Sequence, residues 1–251
     1  MILRSTILGN GPPVVMMHGL FGQARNFAGV QRQLADRHTV VALDLRNHGG
    51  SPHGAAMDYR TMAADVRETL AALDLPPCPV IGHSMGGKTA MALALTAPDL
   101  VTKLIVVDVA PVRYPPHFDA IIAVMRAMPL DPSLTRAIAD AALATVEPDP
   151  GVRGFLLSNL LLGAAPSWRI GLAEIAAAMP DISDWPFRGE VYPGPCLFVL
   201  GGRSRYVRPE DRPIIHAHFP RVRYVTLKNA GHWVHADDPA GFLAVLRAAL
   251  D

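Results

Sequence analysis

Five short, mainly apolar runs are spaced along the chain, and each ends at or just before a glycine, an aspartate or a histidine. A continuous apolar run, as opposed to an alternating one, is typical of a strand that is covered on both of its faces. These runs therefore predict five parallel strands, over residues 13–17, 39–43, 79–82, 104–107 and 196–200.

Between these runs, apolar residues return at helical spacing. Residues 59–73 carry an apolar stripe that repeats every four positions, and Asp58 before them is a suitable N-terminal cap. Residues 88–97 predict a second helix, and Asp238 followed by Pro239 predicts the start of the last one. Strands that alternate with helices predict an α/β fold, with a mostly parallel central sheet and helices on both faces.

The alternation stops over residues 111–188, where no convincing strand is found. Three or four short helices are expected there instead, over residues 119–128, 132–146, 150–162 and 167–178. A helical insertion between strands of one sheet predicts a cap on a single core. We therefore expect the core to comprise residues 1–110 and 189–251, with the cap formed by residues 111–188.

The composition excludes several classes of protein. Of the 251 residues, 50% are hydrophobic and 18% are charged, which argues against a disordered or fibrous chain. The 23 Lys and Arg residues nearly balance the 22 Asp and Glu residues, so neither a nucleic acid nor an anionic membrane is an expected partner. Cys78 and Cys196 predict buried thiols, because two cysteines make no disulfide framework.

Two further features concern the location of the protein. Residues 1–10 show neither the apolar core nor the small-residue cleavage site of a signal peptide. No apolar run reaches the roughly 18 residues that a membrane-spanning helix needs. We therefore expect a cytoplasmic protein.

Residues 82–86 (GHSMG) fit the pattern G-x-S-x-G and lie between a predicted strand and a predicted helix. In that setting, a sharp turn presents the serine hydroxyl above the sheet, and the flanking glycines leave room for the turn. The following helix directs its first N–H groups to the same place. Ser84 is therefore a candidate nucleophile.

A rival pattern covers the same residues. Residues 82–89 (GHSMGGKT) also fit G-x-x-x-x-G-K-[ST], the phosphate-binding loop of nucleotide hydrolases. In that alternative Lys88 would contact phosphate, and Asp108, at the end of a predicted strand, would help to hold Mg²⁺. The local motif does not separate the two functions. If Ser84 is instead a nucleophile, Lys88 is expected to face the turn from the helix.

Three features of the rest of the chain favour the nucleophile. Ester hydrolysis builds negative charge on the carbonyl oxygen, which two backbone N–H groups stabilise: one after the nucleophile and one in a loop after a neighbouring strand. Met85 and Leu20, the latter within HGLFG at residues 18–22, occupy those positions. His232 lies in a turn before the last helix, and the order Ser84, Asp108, His232 is nucleophile, acid, base.

Together these motifs resemble those of the α/β-hydrolase-fold serine esterases, closest to the small bacterial esterases and their eukaryotic relatives. The matching motifs are HGLFG, DLRNHG, GHSMGGK, V-D-x-x-P and GHW, which stand here at residues 18–22, 44–49, 82–88, 107–111 and 231–233. The resemblance implies the α/β-hydrolase fold and a carboxylic-ester hydrolase that forms an acyl-enzyme on small to medium acyl esters. It implies an ester substrate and water as partners and no cofactor, while thioesterase, perhydrolase and C–C hydrolase activities on the same fold stay open.

The resemblance also implies which acid orients His232. Most members place that acid after the strand that follows the cap, where this chain has Ser204. The similar group uses instead the acid at the end of the strand before the cap, which is Asp108. Glu210 and Asp211 remain alternatives, although both are expected in the first turn of a helix.

The remaining expectations concern the substrate pocket, the loops and metals. Larger apolar residues of the cap and of the two loops are expected to line the pocket, namely Phe21, Met125, Phe155, Leu161, Trp168 and Trp233. His18 is expected to hold its own loop through hydrogen bonds. The ten histidines show no HExxH pattern and no Cys/His cluster, so we expect no metal site.

Overall fold

The computed structural model describes residues 1–251, which form a seven-stranded sheet and a small hairpin. In chain order, the sheet strands are β1 (Ser5–Leu8), β2 (Pro13–Met17), β3 (Thr39–Leu43), β4 (Cys78–His83), β5 (Val101–Val107), β8 (Cys196–Gly201) and β9 (Val222–Leu227). Their spatial order is β1-β3-β2-β4-β5-β8-β9, and only β1 is antiparallel to its neighbour. All five predicted strands are present, two of them with the predicted bounds.

Both faces of the sheet are covered, which explains why its central strands are apolar throughout. In β2, Val14 and Met16 belong to the hydrophobic cluster under helices α1 (Ala28–Leu34) and α10 (Pro239–Leu250). The alternate residues of the same strand belong to the larger cluster under α2 (Tyr59–Ala72) and α3 (Met85–Thr96). The mostly parallel α/β sheet predicted from the sequence is thus confirmed.

The two outer strands, β1 and β9, were not predicted. Both lie at edges of the sheet, and most of their residues are half-buried or exposed. An edge strand lacks a neighbour on one side, so its residues need not be uniformly apolar. Two short helices lie near the end of the chain: α8 (Arg212–His218) between β8 and β9, and α9 (Val234–Asp237) just before α10. Asp58 and Asp238 cap α2 and α10 as expected.

Residues 111–188 leave the sheet after β5 and return before β8, and we call them the cap segment. They contain helices α4 (Asp119–Ala127), α5 (Arg136–Leu143), α6 (Pro150–Leu157) and α7 (Leu172–Ser183). Between α6 and α7 lies an antiparallel hairpin of β6 (Leu160–Leu161) and β7 (Ser167–Trp168).

The hairpin corrects two of the predicted helices. Helix α6 ends at Leu157, not at residue 162, and the helix expected from residue 167 begins only at Leu172. The chain reverses near Gly163, whose φ of 137° favours glycine, and the Arg169 N–H donates to the Asn159 carbonyl at 2.8 Å. The expectation of an entirely helical segment was therefore wrong at this point.

The structure contains two free thiols and no disulfide. Cys78 and Cys196 are both buried and unpaired, as predicted. The structure contains no group of three histidine, cysteine or acidic side chains placed to hold a metal ion. None of its helices combines the length and the apolar character needed to cross a membrane.

Candidate active site

Three strands that lie side by side, β2, β4 and β5, deliver the predicted groups at their carboxyl ends. The HGLFG loop (residues 18–22) follows β2, Ser84 follows β4, and Asp108 follows β5. Parallel neighbours end at the same edge of a sheet, which is where open α/β sheets bind their ligands. Motifs that are far apart in the sequence are therefore close in space.

Ser84 sits in a sharp turn between β4 and α3, with φ of 53° and ψ of −120°. Such a conformation costs a non-glycine residue on the order of 1–3 kcal/mol. A Cβ on Gly82 would collide with the Gly86 carbonyl, and one on Gly86 would collide with the Met17 carbonyl. The Ser84 N–H donates to the Val107 carbonyl at 3.0 Å and ties the turn to the neighbouring strand.

The side chains of Ser84, His232 and Asp108 form a continuous hydrogen-bonded chain. His232 Nε2 lies 3.1 Å from Ser84 Oγ, and His232 Nδ1 lies 2.8 Å from Asp108 Oδ2. Asp108 is 1% exposed, and its Oδ1 accepts from the Gly201 N–H at 2.9 Å. A carboxylate facing Nδ1 places the ring proton there, which leaves Nε2 to accept from the serine hydroxyl.

Ser204, at the position where most relatives would carry the acid, contacts Asp108. Its hydroxyl donates to Oδ2, the same carboxylate oxygen that faces His232. The two alternative acids have other surroundings. Glu210 is exposed, and Asp211 accepts from the backbone at the start of its own short helix.

His232 makes two other contacts that the sequence did not indicate. The ring of Tyr206 stacks on the His232 ring, with 3.8 Å between centroids and 17° between planes. His83 Nε2–H donates to the His232 carbonyl at 2.8 Å. Tyr206 lies in a loop with no recognisable motif, and the contact between His83 and His232 joins residues 149 positions apart. Local sequence patterns therefore predict neither contact.

The backbone N–H groups of Leu20 and Met85 have no hydrogen-bond acceptor within the protein. Met85 is the first residue of α3, where N–H groups lack intrahelical partners. Leu20 lies in a tight turn closed by a 2.9 Å hydrogen bond from the Gly22 N–H to the Gly19 carbonyl. Both N–H groups are therefore free to bind an oxygen atom of a ligand.

Two buried histidines hold the HGLFG loop. His18 Nε2 accepts from the Leu45 N–H at 3.0 Å, so its Nδ1–H donates to the Gly19 carbonyl at 2.8 Å. His48 Nε2 accepts from the Phe21 N–H at 3.0 Å. Burial lowers the pKa of His18 to about 4 and that of His48 to about 3, so both rings are neutral, as an accepting nitrogen requires. The expected role of His18 in its own loop is confirmed.

Comparison with known proteins identifies the family. Residues 12–149, more than half of the chain, match the family model described as the alpha/beta hydrolase fold. The chain belongs to the α/β-hydrolase family. This agrees with the resemblance noted in the sequence and with the strand order of the sheet.

Similar proteins narrow the chemistry of this hydrolase. It is 42% identical over 95% of its length to the mouse sn-1-specific diacylglycerol lipase ABHD11, covering 81% of that protein. It is 37% identical to the esterase YbfF of Escherichia coli, over 96% of this chain and 94% of the relative. A solved structure of a marine microorganism esterase superposes with a TM-score of 0.94 at 34% identity, covering 98% of both chains. The protein is thus a serine-type ester hydrolase.

A cavity of about 250 Å³ opens above Ser84 of the hydrolase. Its walls come from the HGLFG loop, from the segment around His232 and from helices α4 and α6 of the cap segment. Three of the six residues predicted for the pocket line this cavity. Those that line the cavity are Phe21, Phe155 and Trp233, together with Leu20 of the HGLFG loop.

The other three predicted pocket residues lie elsewhere in the cap segment. Met125 is completely buried, and its carbonyl accepts from the Trp168 indole N–H at 3.2 Å, so the two residues join α4 to the hairpin. Leu161 is 38% exposed on the outside of that hairpin. An apolar side chain of the cap segment packs against its neighbours as readily as it lines a cavity, and only the tertiary structure distinguishes these two positions.

Lys88 argues against the phosphate-binding alternative. Lys88 is 1% exposed, and its amine donates to the carbonyls of Val112 at 2.7 Å and Asp184 at 2.9 Å, near the two ends of the cap segment. The expectation that Lys88 faces the turn at Ser84 was therefore wrong, because its amine donates to carbonyls of the cap segment. Burial lowers the pKa of this amine to about 7. Together with the family assignment, this position disfavours a nucleotide hydrolase.

Proposed function

We propose that this hydrolase cleaves carboxylic esters of small to medium acyl chains with a Ser84–His232–Asp108 triad, through an acyl-enzyme. The observation that carries the proposal is the hydrogen-bonded chain from Ser84 Oγ through both ring nitrogens of His232 to a buried carboxylate. Nucleophile, base and orienting acid each have the partner that this chemistry requires.

In the first half of the reaction, Ser84 Oγ attacks the ester carbonyl carbon and its proton passes to His232 Nε2. Asp108 stabilises the imidazolium that forms, without itself taking up the proton. Collapse of the tetrahedral intermediate breaks the bond to the alkoxy oxygen, and His232 protonates the leaving alcohol. The product of this half is an acyl group on Ser84.

In the second half, water replaces the alcohol. His232 Nε2 takes a proton from water as the oxygen attacks the acyl carbon, and the carboxylic acid leaves when the bond to Ser84 Oγ breaks. The proton on His232 returns to Ser84 Oγ. The free enzyme is restored, and none of these reaction steps requires a cofactor.

In both halves the carbonyl oxygen carries negative charge, and the N–H groups of Leu20 and Met85 are proposed to bind it. Their lack of acceptors in the protein supports this role. N–H groups held in place before the reaction need no rearrangement as the charge develops, and one such donor is worth about 3 kcal/mol of transition-state stabilisation.

Residues 111–188 are proposed to act as a cap on a core of residues 1–110 and 189–251. Helices α4 and α6 of the cap contribute apolar side chains to the cavity above Ser84. The cavity of about 250 Å³ suits an acyl chain of modest length. An apolar wall selects by chain length, because each methylene that it buries gains about 0.8 kcal/mol.

The decisive experiment is hydrolysis of a p-nitrophenyl ester series by the purified protein and by Ser84→Ala. We expect the wild type to be active and the variant to lose on the order of 10⁶-fold in kcat while keeping its circular dichroism spectrum. Turnover by Ser84→Ala close to that of the wild type would refute the proposal.

A wider substrate panel addresses the other chemistries of the fold. Acyl thioesters, hydrogen peroxide as acceptor and a diacylglycerol, the substrate class named for the mouse relative, would be compared with simple esters. We expect simple esters to have the highest kcat/KM. The cytoplasmic location and the absence of nucleic-acid and membrane partners stay predictions.

A further inference from the structure

The HGLFG loop turns on a residue that is unusual for its position. Phe21 has a φ of 60°, in the left-handed region that glycine favours, and it is 1% exposed. A bulky side chain adopts this conformation only where the surrounding contacts hold it there. The conformation of the loop therefore depends on the partners of Phe21 as well as on its own sequence.

Two peptide groups connect Phe21 to the N–H of Leu20. The peptide between Phe21 and Gly22 carries the Phe21 carbonyl on one side and the Gly22 N–H on the other. That N–H donates to the Gly19 carbonyl at 2.9 Å. The peptide to which the Gly19 carbonyl belongs ends in the Leu20 N–H, so any rotation of the first peptide group disturbs the second.

Partners on both sides hold Phe21. Its N–H donates to His48 of the core, whereas its carbonyl accepts from Asn159 Nδ2 at 2.7 Å. Asn159 lies in the cap segment between α6 and the hairpin, 138 residues further along the chain. The cap thus supplies one of the two hydrogen bonds on the backbone of this turn residue.

Asn159 is itself held firmly. It is completely buried, its backbone carbonyl accepts from the Arg169 N–H at 2.8 Å, and its Nδ2 also donates to the Leu156 carbonyl at 3.3 Å. Next to it, the Ser158 carbonyl accepts from Arg25 of the core at 2.9 Å. The buried amide of Asn159 therefore connects the cap segment directly to the Phe21 carbonyl.

We propose that Asn159 is a positioning residue: by holding the Phe21 carbonyl, it orients the Leu20 N–H, so that the cap completes the oxyanion site. This inference rests on the proposed esterase function. Because the Leu20 N–H acts most strongly on the charged oxygen of the transition state, losing its orientation lowers kcat much more than it weakens substrate binding.

The test compares Asn159→Leu and Asn159→Ala with Ser158→Ala as a matched control. Leucine keeps the size of asparagine without its N–H groups, and alanine serves where leucine packs poorly. The control removes a neighbouring hydroxyl that has no hydrogen-bond partner. Rates are expressed per active serine, titrated with a fluorophosphonate, so that misfolded protein is not counted.

We expect both Asn159 variants to lose about 10- to 100-fold in kcat, with KM within about threefold of the wild type. A trifluoromethyl ketone provides a second readout. Ser84 Oγ adds to its carbonyl carbon, the proton passes to His232, and the resulting oxyanion occupies the site. Its inhibition constant should rise by a factor similar to the loss in kcat, and the Ser158→Ala control should match the wild type.

The inference is overturned if kcat and the inhibition constant of both Asn159 variants stay within about twofold of the control. It is equally overturned if the loss lies only in KM or only in the titrated fraction of active serine. Failure of the proposed function has a different signature, because the wild type would then hydrolyse no ester or Ser84→Ala would retain its activity.

Discussion

The strand ends of the core and the cap segment both build the site, but they do so in different ways. In the core, backbone geometry places the proposed catalytic groups: Ser84 and Asp108 each follow a parallel strand and have positive φ angles. In the cap, short helices contribute side chains to a wall, and individual polar contacts attach that wall to the core.

This difference shows which structural features can be predicted from a sequence pattern. A strained turn restricts the residues that it accepts, as the glycines beside Ser84 demonstrate. A wall of a cavity accepts any apolar residue of suitable size. Single substitutions at the strand ends of the core should therefore cause the largest losses of rate, and those in the apolar wall of the cap smaller changes of specificity.

The largest effect is expected at Asp108 in the core. Asp108→Asn would leave His232 without the carboxylate that fixes its tautomer, so kcat should fall by about 10⁴-fold with little change in fold. Steady-state kinetics measure the loss, with Glu210→Gln as the control. If Glu210→Gln showed the large loss and Asp108→Asn did not, the assignment of the acid would be wrong.

Lys88 joins the two regions, and its effect should appear in stability. Burial lowers its pKa to about 7, while in the unfolded chain it keeps the usual 10.5. Between these pH values the unfolded state binds more protons, so the free energy of unfolding should rise with pH by up to about 1.4 kcal/mol per unit. Lys88→Met should remove this rise.

Urea denaturation of the wild type and of Lys88→Met across that pH range measures the slope. Lys228→Met, at an exposed lysine, controls for the loss of one amine. Parallel curves for Lys88→Met and the wild type would show that Lys88 keeps its proton in the folded protein. The junction between core and cap would then be insensitive to pH in this range.

Ser204 supports Asp108 without contacting the reacting atoms. Ser204→Ala removes one hydrogen bond to Oδ2 and leaves those from His232 and Gly201. A hydrogen bond to a charged group contributes about 1.5–3 kcal/mol, and because only part of it concerns the transition state, kcat should fall by about tenfold. A pH–rate profile and kcat for the variant check this. A loss as large as that of Asp108→Asn would mean that Ser204 is essential to the triad.

The smallest effect is expected from the cap wall. The rings of Phe155 in the cap and Trp233 in the core both line the cavity, and their centroids are 6.1 Å apart. Phe155→Ala should enlarge the cavity and raise the ratio of kcat/KM for octanoate over acetate esters by about three- to tenfold. Leu161→Ala, outside the cavity, should leave the ratio unchanged. An equal response of both variants would remove the distinction between wall and outer surface.

Much of this molecule was predictable because its strongest restrictions are local. The central strands were found because burial on both faces demands continuous apolar runs, as in β2 and β3. Ser84, Asp108 and His232 were singled out because each stands in a motif at the end of an element. The edge strands and the cap hairpin were missed, since a half-exposed strand or a two-residue pairing needs no distinctive pattern.

The amino-acid sequence by itself thus determined the layered α/β architecture and the residues at the ends of its central strands, through periodicity and through turns that only certain residues permit. Only the tertiary structure decided which partners those residues meet. The contact of Ser204 with Asp108, the stacking of Tyr206 on His232 and the bond from Asn159 to Phe21 all join distant segments. Such contacts depend on how distant segments pack together, and the spacing of residues along the chain does not predict that packing.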